Sequence, residues 1–112
     1  MFKIIVLSLA VANTWASSHH PEQFLSQLKN DPHATEKIYQ QFCANCHAKD
    51  PLIPVGAPIV GNKADWKPRI KKGLPCLLNS TMNGIGIMPA RGGCFECSDE
   101  QLTMIINYMT NQ

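Results

Sequence analysis

One stretch leaves this chain little choice of fold: Cys43-Ala44-Asn45-Cys46-His47. Thiols three positions apart on one helical turn point the same way, and the histidine that follows is carried to the same helix end. Upstream, Asp31-Pro32 reads as an N-cap followed by proline at the first helical position, so the spacing predicts a helix from there to about Asn45. Ala34, Ile38 and Phe42 recur every fourth residue beside Tyr39, Cys43 and Cys46. Such a face is apolar and delivers both thiols to a core.

The rest of the chain has to supply that core, and it is short. Met1-Phe2-Lys3 is a basic start, Ile4 to Ala12 an apolar run, and Thr14-Trp15-Ala16 resembles a signal-peptidase site. Residues 1–16 are therefore expected to be a signal peptide cleaved after Ala16, with an uncleaved membrane anchor as the alternative. The apolar run falls short of the roughly 20 residues a spanning helix needs. What remains, about 96 residues, buries only some 60–65 % of its unfolded surface, so its own core is marginal and something must supplement it. Export leads to an oxidising compartment, where cysteine pairs close disulfides or bind a cofactor. Without Lys3, nine basic residues face eight acidic ones, a balance that argues against nucleic acid as partner. The charges are nevertheless segregated: Lys63, Lys67, Arg69, Lys71 and Lys72 lie in mid-chain, and Glu96, Asp99 and Glu100 near the end. A run of this kind is either a solvated face or a docking surface.

Residues 17–31 are polar, with only Phe24, Leu25 and Leu28 as apolar anchors, and are expected to form a loosely held extension to a domain spanning 32–112. Between Lys49 and Asn62, Pro51, Pro54, Gly56, Pro58 and Gly61 forbid a long helix or a central strand. Asp65 is expected to cap a short helix from Trp66 to Lys72 closed by Gly73, and Pro75 to Met82 suits another, ended by Asn83-Gly84. Gly84 to Gly93 is glycine-rich and non-helical, with Met88 held between Ile87 and Pro89. Ser98 and Gln101 make a capping box for a last helix whose buried stripe is Leu102, Ile105, Ile106 and Met109. With no alternating strand pattern, the fold is expected to be all-α.

Cys-x-x-Cys-His is the attachment signature of c-type haem. Cys43 and Cys46 would form thioethers to two vinyl groups of one porphyrin, and His47 would be carried under the ring, where an imidazole nitrogen reaches iron. The second pair, Cys94 and Cys97, is followed by Ser98, which cannot replace that imidazole, so one haem c per chain is expected. The alternatives are an ordinary Cys43–Cys46 disulfide and a zinc site built from Cys43, Cys46, Cys94 and Cys97. The long intervening stretch counts against zinc. A thioredoxin-like site should follow a strand, and none precedes Cys43. For the opposite face of the iron the candidates are Met82, Met88, Met104 and Met109. The last two lie on the final amphipathic helix as core filler, and Met82 precedes a turn. Met88 has glycines on both sides that let backbone approach a flat ring. Thioether ligation opposite imidazole raises the reduction potential. A bis-histidine site from His19, His20 or His33 is the lesser option.

Together "CANCH", "GAPIVGNKADWKPRIKKG", "NGIGIMPARGGCFECSDEQL" and "INYM" resemble the class I c-type cytochromes of the cytochrome c5 group, over roughly Thr35 to Met109. The resemblance implies four to five short helices wrapped around one covalently bound haem, and no bond chemistry of its own. It implies a disulfide between Cys94 and Cys97 that stiffens the loop beside Met88, and a proline carbonyl, with Pro58 as candidate, accepting a hydrogen bond from the proximal imidazole. It implies Trp66 and Arg69 near the haem propionates, the alternatives being a core tryptophan and a solvated arginine. Tyr39, Phe42 and Tyr108 would pack the first helix against the last. By the same resemblance the protein would be a periplasmic electron carrier, expected to be a monomer, taking electrons from a membrane quinol-oxidising complex or dehydrogenase and passing them to a terminal oxidase or reductase. Cys76, a fifth cysteine, departs from the pattern and is expected to be a buried small apolar residue or else an exposed thiol.

Overall fold

The computed structural model describes residues 21–111, and the expected leader lies outside them. Six α-helices and two irregular turns follow one another: α1 (Pro21–Gln27), α2 (Ala34–Ile38), a wide π-turn over Tyr39–Cys43, α3 (Ala44–His47), α4 (Lys63–Ile70), α5 (Leu74–Asn83), a tight turn over Ala90–Gly93, and α6 (Asp99–Asn111). Among the described residues the only bridge of strand type is the isolated pair Ile85 and Met88. The all-α expectation holds.

The last helix organises the rest. Its capping box is formed as expected, with the Ser98 N–H donating to Gln101 Oε1 at 2.8 Å and the Gln101 N–H to Ser98 Oγ at 3.1 Å. Leu102, Ile105, Ile106 and Met109 are buried on its inner stripe. Leu102, Ile105 and Met109 pack with Ile38, Tyr39, Trp66 and the Cys94–Cys97 disulfide in the core. Tyr39 meets Tyr108 with ring centroids 5.1 Å apart, which ties the first cysteine-bearing segment to α6 as expected.

Four local expectations are corrected. The helix expected from Asp31-Pro32 opens only at Ala34, with His33 at its N-cap, and is not continuous, because it widens into the π-turn before reaching the thiols. Such turns recur at functional sites, and this one is followed by α3, which runs on to His47. The described part of the polar stretch before it, residues 21–31, is not loosely held: α1 forms, Leu28 is buried in the core, and Phe24 meets Phe42 edge-on at 6.3 Å. Asp65 does not cap α4. Asn62 does, its side chain accepting from the Asp65 N–H at 3.2 Å, and the Asp65 carboxylate is thereby freed for another task. Cys76 is exposed and unpaired, so its burial is not what explains it.

Candidate functional site

His47 ends α3 and is buried, 7 % exposed. Its Nδ1 lies 2.7 Å from the Pro58 carbonyl oxygen. A carbonyl only accepts, so Nδ1 carries the hydrogen and Nε2 is left with a bare lone pair. Burial lowers the imidazole's proton affinity, against the pull of the Pro58 bond, and nearby Arg69 lowers it further. The ring is thus held neutral in one tautomer, the form in which imidazole binds a metal.

Pro58 is itself fixed by its neighbours. The Ile59 N–H donates to Asp65 Oδ2 at 3.1 Å, the Ile59 carbonyl accepts from the Trp66 indole N–H at 2.8 Å, and the Val60 N–H donates to the His47 carbonyl at 2.8 Å. The next N–H along, that of Gly61, donates to the Met109 carbonyl on α6. Trp66 also stacks on His47, with centroids 6.1 Å apart and planes 21° off parallel. Two residues singled out by the resemblance therefore meet around the imidazole. The Pro58 carbonyl accepts the imidazole bond, and Trp66 is buried with its indole N–H on the Ile59 carbonyl. Arg69 donates from Nη1 to the Asp65 carbonyl at 2.6 Å.

The thiols lie opposite the glycine-rich loop. Cys43 and Cys46 are half-buried and unpaired, and burial pushes the Cys43 thiol up to about 12, with Cys46 adding to it. Met88 is half-buried at the end of a hairpin in which its N–H and carbonyl pair with those of Ile85. A β-carbon placed on Gly92 would meet Met88 Cε at 3.9 Å and Cys43 Sγ at 4.0 Å, so the thioether methyl and a thiol converge on one spot kept bare by a glycine. Beyond it the Cys94–Cys97 disulfide is formed, as the resemblance implied. That pairing removes two thiolates from the four-cysteine zinc alternative. Among the described residues no cluster of three or more His, Cys, Asp or Glu side chains could hold a metal ion.

Two free thiols on successive turns, one imidazole with Nε2 bare, and one thioether across a side-chain-free cradle are the donor set that a covalently tethered haem requires. The residues present fit that group. Sequence reasoning missed Gly92 as the cradle and Asp65 as a loop anchor. In Gly92 the only signal was the doubled glycine, and in Asp65 the capping role concealed the other.

The comparisons agree with this geometry. Residues 30–109 match the family described as cytochrome C oxidase, cbb3-type, subunit III. Cytochrome c-555 of Chlorobaculum tepidum is 37 % identical over 86 residues, 73 % of this chain and 77 % of that protein. Cytochrome c5 of Azotobacter vinelandii is 36 % identical over 77 residues, 67 % of this chain and 89 % of that one. A solved chain from the crystal structure of an electron transfer complex of nitrite reductase with cytochrome c superposes with a TM-score of 0.61 at 35 % identity, covering 71 % of this chain and 93 % of its own. The chain belongs to the class I c-type cytochromes, in the c5 group. It is an electron-transfer protein rather than an enzyme, and its cofactor is covalently attached haem c.

Proposed function

We propose that this protein is an exported one-electron carrier in which Cys43 and Cys46 tether one haem, His47 Nε2 holds iron on one face and Met88 sulfur on the other. The bound haem supplies the ferric–ferrous couple. The observation that carries the reading is the Nδ1–H of buried His47 fixed on the Pro58 carbonyl, because it leaves Nε2 as the only free imidazole donor beside two unpaired thiols. The protein's own part is to orient that nitrogen, keep water from it, and hold a soft sulfur opposite. A soft thioether favours the ferrous state, which suits an acceptor of electrons from quinol-level donors.

The same reading extends to partners and place. Residues 1–16 act as a cleaved leader and 32–112 as the haem domain, delivered to the periplasm and working as a monomer. No helix among the described residues is long and apolar enough to cross a membrane. The donor is a membrane quinol-oxidising complex or dehydrogenase, and the acceptor a terminal oxidase or reductase. The nitrite reductase complex that contains the similar solved chain supports a reductase. Lys63, Lys67, Lys71 and Lys72 are exposed on and just after α4 and take part in no ion pair among the described residues, which supports docking to an acidic face.

A visible spectrum of matured protein tests the site. A far-red sulfur-to-iron charge-transfer band in the ferric form is the expected result, and its absence overturns Met88 as ligand. Pigment that is extracted by acidic acetone would overturn the thioether tether.

A further inference from the structure

Three residues in a row take left-handed backbone where the Met88 loop turns back toward α6: Arg91 (φ 59°), Gly92 (φ 59°) and Gly93 (φ 81°). Two are glycine, which adopts this conformation freely. Arg91 is the sole non-glycine at positive φ among the described residues, and a side-chain-bearing residue there costs about 1–2 kcal/mol. A second cost lies at the far end of the same side chain, where Nε is buried without a hydrogen-bond partner.

What offsets these costs is a pair of bonds from one guanidinium nitrogen. Nη2 donates to the Cys97 carbonyl at 2.6 Å and to Asp99 Oδ1 at 3.0 Å. The side chain is 20 % exposed. The first bond grips the closing residue of the disulfide ring and the second the first residue of α6. Backbone bonds complete the turn, from the Gly92 N–H to the Pro89 carbonyl and from the Cys94 N–H to the Arg91 carbonyl. Arg91 therefore links the segment that bears Met88 to the most firmly packed helix of the domain, at a position where glycine would fit the backbone with less strain.

We propose that Arg91 is a positioning residue that latches the Met88 loop shut, so that the thioether stays opposite His47 and outside ligands are kept out. The proposal rests on Met88 being the iron ligand. Backbone conformation alone makes the opposite forecast: Arg91→Gly relieves strain and should leave the loop at least as well closed.

The test is imidazole binding to the ferric holoprotein, which requires the thioether to yield, followed by spectrum and stopped flow. Arg91→Gly is expected to bind imidazole at least about tenfold more tightly, a change of about 1.4 kcal/mol, and to lose part of the far-red sulfur-to-iron band. Arg91→Lys keeps the charge but ends in a strongly hydrated point charge on a flexible stem instead of a rigid planar guanidinium, and is expected to move the same way by a smaller factor, which decides the matter if the glycine variant does not mature. Unchanged imidazole affinity in these variants, with the band intact, overturns the latch and leaves Met88 standing. A missing band in the unsubstituted protein overturns both.

Discussion

Gly84 separates a conformational cost from a packing cost. It sits just past α5 at φ 81° and ψ 158°, a region essentially closed to other residues. A β-carbon there would lie 2.8 Å from the Met88 carbonyl oxygen, 2.9 Å from the Ala90 nitrogen and 3.2 Å from the Pro89 carbonyl carbon. All three are backbone atoms, so no side chain can swing away and the Met88 segment itself must shift. Gly86, two residues on, also has positive φ, 57°, but a β-carbon there meets nothing within 4 Å. Gly86→Ala should therefore cost only the left-handed conformation, about 1–2 kcal/mol. Gly84→Ala adds overpacking to a worse conformation, together about 3–5 kcal/mol. For a domain of this size, 1 kcal/mol lowers Tm by about 4–8 °C, so the Gly84 variant should melt at least about 10 °C below the parent, and the Gly86 variant below the parent by less than half of the Gly84 loss. Thermal melts of both holoproteins, with the far-red band recorded alongside, check this. Equal loss of Tm in the two variants with equal bands would refute the claim that Gly84 exists to let the Met88 backbone pass.

Four further outcomes are expected. Met88→Ala should keep its covalent haem while its reduction potential falls, as read by redox titration; an unchanged potential moves the ligand elsewhere. Asp65→Ala removes the acceptor of the Ile59 N–H and should cost about 1–3 kcal/mol in urea unfolding, whereas a cap of Asn62 alone would leave the midpoint where it was. Exchanging Lys71 and Lys72 for glutamate should slow electron transfer to an acidic partner at low salt and matter little at high salt; no change at low salt makes the run a solvated face. The Lys37 ammonium beside Asp31, helped by the His33 N–H, holds that carboxyl below the usual range. Its stabilisation is present above the unfolded carboxylate's pKa and lost as pH falls through the depressed folded value, so Asp31→Asn should flatten the acid limb of a stability–pH curve, and an unaltered limb counts against the pair.

Reading the sequence succeeded where chemistry is local. The capping box of Ser98 and Gln101 and the α6 stripe are set within a few residues, and both stand in the structure as expected. It faltered where two partners compete. Asp65 has the residue type of a cap, but Asn62 takes that role and the carboxylate turns to Ile59, four residues upstream of α4. Nothing in the local pattern of Trp66 announces that its N–H reaches a loop carbonyl seven residues back, at 2.8 Å. Leu28 and Phe24 looked too sparse to hold their segment down because patterning counts only neighbours along the chain, whereas their packing depends on Phe42 and the core arriving from elsewhere.

The two faces of the site are secured by different means, and that difference bears on which one moves. On the His47 side, consecutive backbone groups of Pro58, Ile59, Val60 and Gly61 each have a partner, and those partners come from α3, α4 and α6. Releasing the imidazole would break several of these bonds together. On the Met88 side the loop relies on a two-bond hairpin, a close glycine contact, a four-residue disulfide ring and the Arg91 fork. Ile85 and Ile87 beside Met88 are exposed, 62 % and 76 %, so little apolar burial holds that segment down. Segments with few buried contacts open first. The thioether face is therefore the one expected to yield to competing ligands, heat or denaturant, while the imidazole face stays closed until the domain unfolds.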